Sequence, residues 1–149
     1  MATAYKGTDE ETVALDAYTK LMRATAAATA RIHGHLADED LTQSQFGVLE
    51  MLFHLGPLSQ GSIGQKLLKS GGNVTLVLDN LQKRGLVRRE RNAPDRRHVI
   101  VSLTDKAHAL IQRIFPRHVA AIVQEMEVLA RDEQIELARL CRKLGLQGR

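Results

Sequence analysis

The 149 residues carry a formal net charge of +4 with 44% hydrophobic and 26% charged side chains, which suits an ordinary soluble chain with room for one sizeable core. No apolar run approaches a membrane span, the first residues lack the apolar stretch and cleavage site of a signal peptide, and a lone cysteine, Cys141, excludes an internal disulfide and a cysteine zinc cluster; a cytoplasmic protein is expected. Five aromatic residues, none of them tryptophan, argue against a stacking platform for single-stranded nucleic acid.

Thr8 followed by Glu11 forms a capping box, and a helix is predicted to start there. Leu15, Tyr18, Met22, Thr25, Thr29, Ile32 and Leu36 then recur in steps of three and four, one seam running to Leu36. In a small domain so long a seam needs a partner surface, and it reads as half of a dimer interface. Residues 37–40 are a polar break. Thr42 and Gln45 cap a second helix whose apolar face is Phe46, Leu49, Leu52 and Phe53 and which ends near Gly56 and Pro57. Ser59 caps a short third helix carrying Ile63, Leu67 and Leu68.

A fourth helix is predicted from a Ser70 cap to Gly85, with Val74, Val77, Leu78 and Leu81 on one face and Asn73, Thr75, Leu76, Asn80 and Lys83 on others. Such a helix packs on one side and touches a partner with the other. Gly71 and Gly72 in its first turn cost helix propensity, and their missing side chains let backbone N–H groups approach a phosphate. Residues 86–91 and 98–103 read as strands around the polar turn 92–97. Helix, turn, helix and two strands is the order of a winged helix-turn-helix, with that turn as the wing. Thr104 caps a long helix to Leu129 in which Pro116 is expected to cause a bend or break, and a last helix ends near Leu144. There Cys141 shares an apolar face with Leu137, Leu140 and Leu144, which predicts a buried, structural thiol.

Charge is uneven along the chain. Residues 59–104 hold nine Lys and Arg against three Asp and Glu, whereas the remainder holds twelve against fourteen. A positive field confined to the middle third is the footprint of a nucleic-acid reader. Catalysis is not supported, since the sequence has no phosphate-cradling Gly loop, no nucleophile elbow and no His-Glu-x-x-His pair.

Two motifs are more specific. Asp95-x-Arg97, five residues, then Leu103 and Thr104, together with the run from Leu81 through Lys83 to Gly85, resemble the wing and the recognition-helix exit of the MarR (multiple antibiotic resistance regulator) family. The resemblance covers nearly the whole chain as a single domain, 1–149. It implies a mainly α fold with a small β-wing, a winged helix-turn-helix over 42–104, and dimerisation helices over 8–38 and 105–149. It further implies a homodimeric repressor that binds a pseudo-palindromic stretch of double-stranded DNA and is released by a small-molecule effector, with no cofactor or catalytic residue. On this reading Asn73, Thr75 and Leu76 face the major groove, and Arg97, oriented by Asp95, enters the minor groove. Ser70, Gly71, Gly72, Lys83, Arg88, Arg89 and Arg96 complete the expected DNA contacts, and Leu76 suits a thymine methyl.

The resemblance also suggests an effector pocket, for which Met22, His33, Phe46, Phe53, His54 and Phe115 are the candidate lining residues. Two alternatives on the same fold stay open at this point. One is a metal-responsive regulator using His33, His35 and Glu39, although no two histidines have the i, i+4 spacing of a helical zinc pair. The other is a thiol-redox regulator using Cys141.

Overall fold

A computed structural model of the chain describes residues 4–67, 74–91 and 98–147. In chain order the elements are α1 (Asp9–Ile32), a 3-10 segment (His33–Glu39), α2 (Gln43–Leu55), β1 (Leu58–Ser59), α3 (Gln60–Leu67), α4 (Val74–Lys83), β2 (Val87–Arg91), β3 (Val99–Leu103), α5 (Asp105–Met126) and α6 (Arg131–Gly145). The fold is mainly helical with one three-stranded antiparallel sheet in the order β1-β3-β2, as a winged helix-turn-helix requires.

Helix starts follow the local chemistry. Thr8 Oγ1 accepts the Glu11 N–H at 3.2 Å while Glu11 accepts the Thr8 N–H at 2.8 Å, and Thr42 and Gln45 repeat the exchange at 3.1 and 3.0 Å. Ser59 and Thr104 each accept an N–H three residues on, from Ser62 at 3.1 Å and Ala107 at 3.2 Å. The exit of α4 is a Schellman turn. Gly85 takes φ +70°, the Leu86 N–H reaches the Leu81 carbonyl at 2.9 Å, and the Gly85 N–H reaches that of Gln82 at 2.9 Å.

The chain divides into two compact units. Among the described residues, unit His35–His118 holds the hydrophobic core: Leu36 and Leu41 ahead of α2, Phe46, Val48, Leu49 and Leu52 of α2, Ile63 of α3, Leu78 and Leu81 of α4, Leu86, Val87, Val101 and Leu103 at the sheet, and Ala107, Ile111 and Ile114 of α5. Register places Val87 opposite Leu103 and Arg89 opposite Val101, and the sheet packs on α4 through β2 and on α2 through β3. The other unit joins residues up to Gly34 with those from Val119 on. In it Arg31 of α1 makes a two-pronged pair with Glu125 of α5, Nε at 2.9 Å and a terminal nitrogen at 2.5 Å. Leu15, Tyr18 and Met22, three positions of the predicted seam, are exposed.

Four expectations need correction. α1 ends at Ile32 instead of continuing to Leu36, because Gly34 is a poor helix residue and the tighter 3-10 turn carries Leu36 into the core. α5 is not broken at Pro116 and ends at Met126; the Gln112 carbonyl that loses its donor to the proline lies at an exposed position, open to solvent. Leu58 and Ser59, expected only to lead into α3, also form β1 by pairing with Val101 and Ile100. Cys141 is exposed rather than buried, as are Leu140 and Leu144 on the face it shares.

Candidate nucleic-acid interface

α4 has one face in the core and one in solvent. Leu78 and Leu81 are fully buried, Val74 and Val77 half-buried, and Thr75, Leu76, Gln82 and Lys83 exposed, Leu76 at 56%. This is the division the periodicity predicts for a helix that packs and reads at once.

The helix is also held by polar ties along its length. At its first turn Gln60 of α3 donates its amide to Thr75 Oγ1 at 3.3 Å. In the middle Arg89 of β2 reaches Asp79 Oδ1 at 2.5 Å and Gln82 Oε1 at 2.8 Å. The guanidinium of Arg89, one of the expected DNA contacts, is engaged with α4 and ties the helix to β2. At the exit Arg84 donates to the main-chain carbonyls of Asp40 at 2.6 Å and Glu39 at 3.3 Å, while Lys106 donates to the Arg84 carbonyl at 2.9 Å and Thr104 to that of Gly85 at 2.6 Å. A helix anchored this way presents its outer side chains in fixed positions, the condition for reading base edges.

Lys66 on α3, Lys83 on α4, and Arg88 and Arg91 on β2 are exposed cations of this unit. A cleft of about 480 Å³ lined by Ser59, Gln60, Gly61, Val74, His98 and Val99 opens beside the first turn of α4. Of the expected DNA contacts, Thr75, Leu76, Lys83, Arg88 and Arg89 are therefore placed as above; Ser70, Gly71, Gly72, Asn73, Asp95, Arg96 and Arg97 lie outside the described residues. Sequence reasoning missed Gln60, Asp79 and Arg84. All three meet their partners only through the fold, Arg84 across 44 positions, Gln60 across 15 and Asp79 across 10.

The effector candidates fall into separate groups. Met22 and His33 belong to the terminal unit, and Met22 is half exposed. Phe53, His54 and Phe115 form an aromatic cluster in the other unit, with ring centroids 5.0 to 6.1 Å apart. Phe46 is 1% exposed, a core residue packed on His118 at 4.6 Å.

The proposed metal ligands are each engaged elsewhere. His33 Nδ1 lies 3.0 Å from the Thr29 carbonyl, and His35 Nε2 lies 3.0 Å from Nδ1 of buried His118. Both oxygens of Glu39 accept from Arg113 at 2.9 Å, and that hydrogen-bonded guanidinium holds the Glu39 carboxyl below the ordinary carboxylate range. Among the described residues no three His, Cys, Asp or Glu side chains converge on a metal position.

Comparison with known proteins agrees with this geometry. The sequence pattern of the MarR family matches residues 41–99, the stretch from the start of α2 to the start of β3. The chain is 33% identical to YkoM of Bacillus subtilis, an uncharacterized HTH-type transcriptional regulator, over 91% of this chain and 88% of that one. It is 31% identical to the HTH-type transcriptional regulator MhqR of the same organism, over 87% and 89% of the two chains. Among solved structures it resembles BpsR of Bordetella bronchiseptica, whose DNA binding is regulated by 6-hydroxynicotinic acid, with a TM-score of 0.79 and 26% identity over 87% of this chain and 98% of that one.

Proposed function

The chain belongs to the MarR family of DNA-binding transcriptional regulators, and on that premise we propose that it is a homodimeric, cytoplasmic repressor released from its operator by a small organic effector. Two copies of α4 enter successive major grooves of a pseudo-palindromic site, about one helical turn apart, with Asn73, Thr75 and Leu76 toward the bases. The 92–97 turn reaches the flanking minor groove with Arg97, held by Asp95 and seconded by Arg96, while Ser70, Gly71, Gly72, Lys83 and Arg88 meet phosphates. Arg89, through Asp79 and Gln82, aims the helix.

The observation that carries this reading is the two-faced α4: Leu78 and Leu81 buried, Thr75 and Leu76 exposed, and both ends tied by hydrogen bonds. The dimer is supported by the apolar faces of α1 and α6, which one chain leaves exposed at Tyr18, Met22, Leu140 and Leu144. The effector is supported by the aromatic cluster of Phe53, His54 and Phe115 and by the ligand-regulated DNA binding of BpsR.

The test is selection of DNA fragments by the purified protein, followed by titration of the selected duplex and a scrambled one across salt. Log affinity should fall with log salt by about 0.9 per phosphate contact, a slope of several units, and the selected duplex should stay tighter throughout. Salt-independent affinity, or equal affinity for both duplexes, would overturn the reading.

A further inference from the structure

Resting on the proposed docking of α4 in the major groove, we propose that Gln60, on the helix before it, is a specificity-determining residue that acts through Thr75. Ser59 caps α3 by accepting the Ser62 N–H, which sets Gln60 as the first helical residue, half-buried and directed toward the first turn of α4. Its amide nitrogen lies 3.3 Å from Thr75 Oγ1, a contact between residues 15 positions apart. Thr75 is itself exposed, on the same turn as exposed Leu76, and the cleft lined by Gln60, Val74 and His98 keeps this side of the helix open.

A threonine hydroxyl has one hydrogen and two lone pairs, and left alone it rotates to suit either a donor or an acceptor. The Gln60 amide narrows that freedom: by donating to Oγ1 it occupies one of the two lone pairs and leaves the hydroxyl hydrogen to point outward, which biases Thr75 toward meeting a base as a donor. The major-groove edge of guanine offers two acceptors, N7 and O6, and thymine offers O4, whereas cytosine offers only the N4 donor. The base facing Thr75 is therefore selected for acceptors, and the selection is set from α3 by a residue that need not touch DNA. Gln60→Glu keeps the shape and reverses the polarity: an ionised carboxylate only accepts, so the Thr75 hydroxyl must donate to it and turn its lone pairs toward the base.

The experiment titrates the full-length wild-type chain, Gln60→Glu, Gln60→Ala and Thr75→Val against the selected operator and a set of duplexes in which each half-site position is changed in turn. The wild type should favour an acceptor base over cytosine at one position per half-site by about fivefold, the scale of one hydrogen bond. Gln60→Ala should shrink that ratio, Gln60→Glu should invert it, and Thr75→Val should erase it. Ratios between duplexes are unaffected by the uniform loss of affinity that an added carboxylate brings. The same ratio in the wild type and Gln60→Glu would overturn this inference alone, and would mean that the hydroxyl hydrogen is used within its own helix. A wild-type chain with no preference among duplexes would overturn the regulator reading as well.

Discussion

The two units of this chain are built on opposite terms. Among the described residues every buried side chain lies between Leu36 and His118, and none is buried in 4–34 or 119–147. Both parts are mostly helical and both carry apolar residues at helical spacing. In the winged unit the apolar faces close on one another around Phe46, Leu49 and Ile63; in the terminal unit Tyr18, Met22, Ile135 and Leu140 face solvent. Amphipathic spacing thus predicts that a face will be covered and says nothing of whether the cover is supplied by the same chain.

The sharpest way to break the comparison is to damage each core in turn. Leu49→Ala should cost about 3 kcal/mol, because the deleted methyls leave a cavity in a packed interior, and denaturant unfolding should show it at any protein concentration. Met22→Asp should leave the winged unit's unfolding unchanged and instead move light-scattering mass from dimer to monomer, or drive the protein out of solution, since a buried charge at an interface is not tolerated. A well-folded native monomer at micromolar concentration would mean that the exposed face of α1 has some other purpose. A smaller effect is expected at the exit of α4. Gly85→Ala forces a side chain into φ +70° and should destabilise by about 1 kcal/mol, with operator affinity falling in parallel.

The smallest effect concerns acid. Arg113 holds the Glu39 carboxyl below its ordinary range, so the pair contributes stability that is fully present above the unfolded-state value and is lost as pH falls through the folded-state value. Unfolding midpoints measured from about pH 6 to about pH 3 should decline less in Glu39→Gln than in the wild type. Equal slopes would mean that the pair is fully screened by solvent.

What was legible in the sequence was local. The capping pairs Thr8 with Glu11 and Thr42 with Gln45, the stop at Gly85, and the split of α4 into an anchored and an open face all follow from residues within a few positions of one another. What was missed depends on distance along the chain. His35 meets His118 across 83 positions, Arg89 meets Asp79 only once β2 folds back along α4, and β1 exists only because β3 lies beside it. Arg89 shows the limit most plainly: a basic run signals a charged surface, but which of its members is held by a carboxylate of its own protein is decided by the fold. The exposed thiol of Cys141 is the same failure on the scale of whole helices.

The tie at Arg84 bears on how this protein tolerates change over generations. Its guanidinium is satisfied by the main-chain oxygens of Glu39 and Asp40, which every amino acid supplies, and not by their carboxylates. Most replacements at position 39 leave the acceptor where it is. Position 40, at φ 53°, is narrower and favours asparagine, aspartate or glycine for its backbone alone. Of the three residues in this tie, only Arg84 is needed for its side chain. Even lysine there, with one compact ammonium in place of a planar fork, would be hard pressed to span two carbonyls at once.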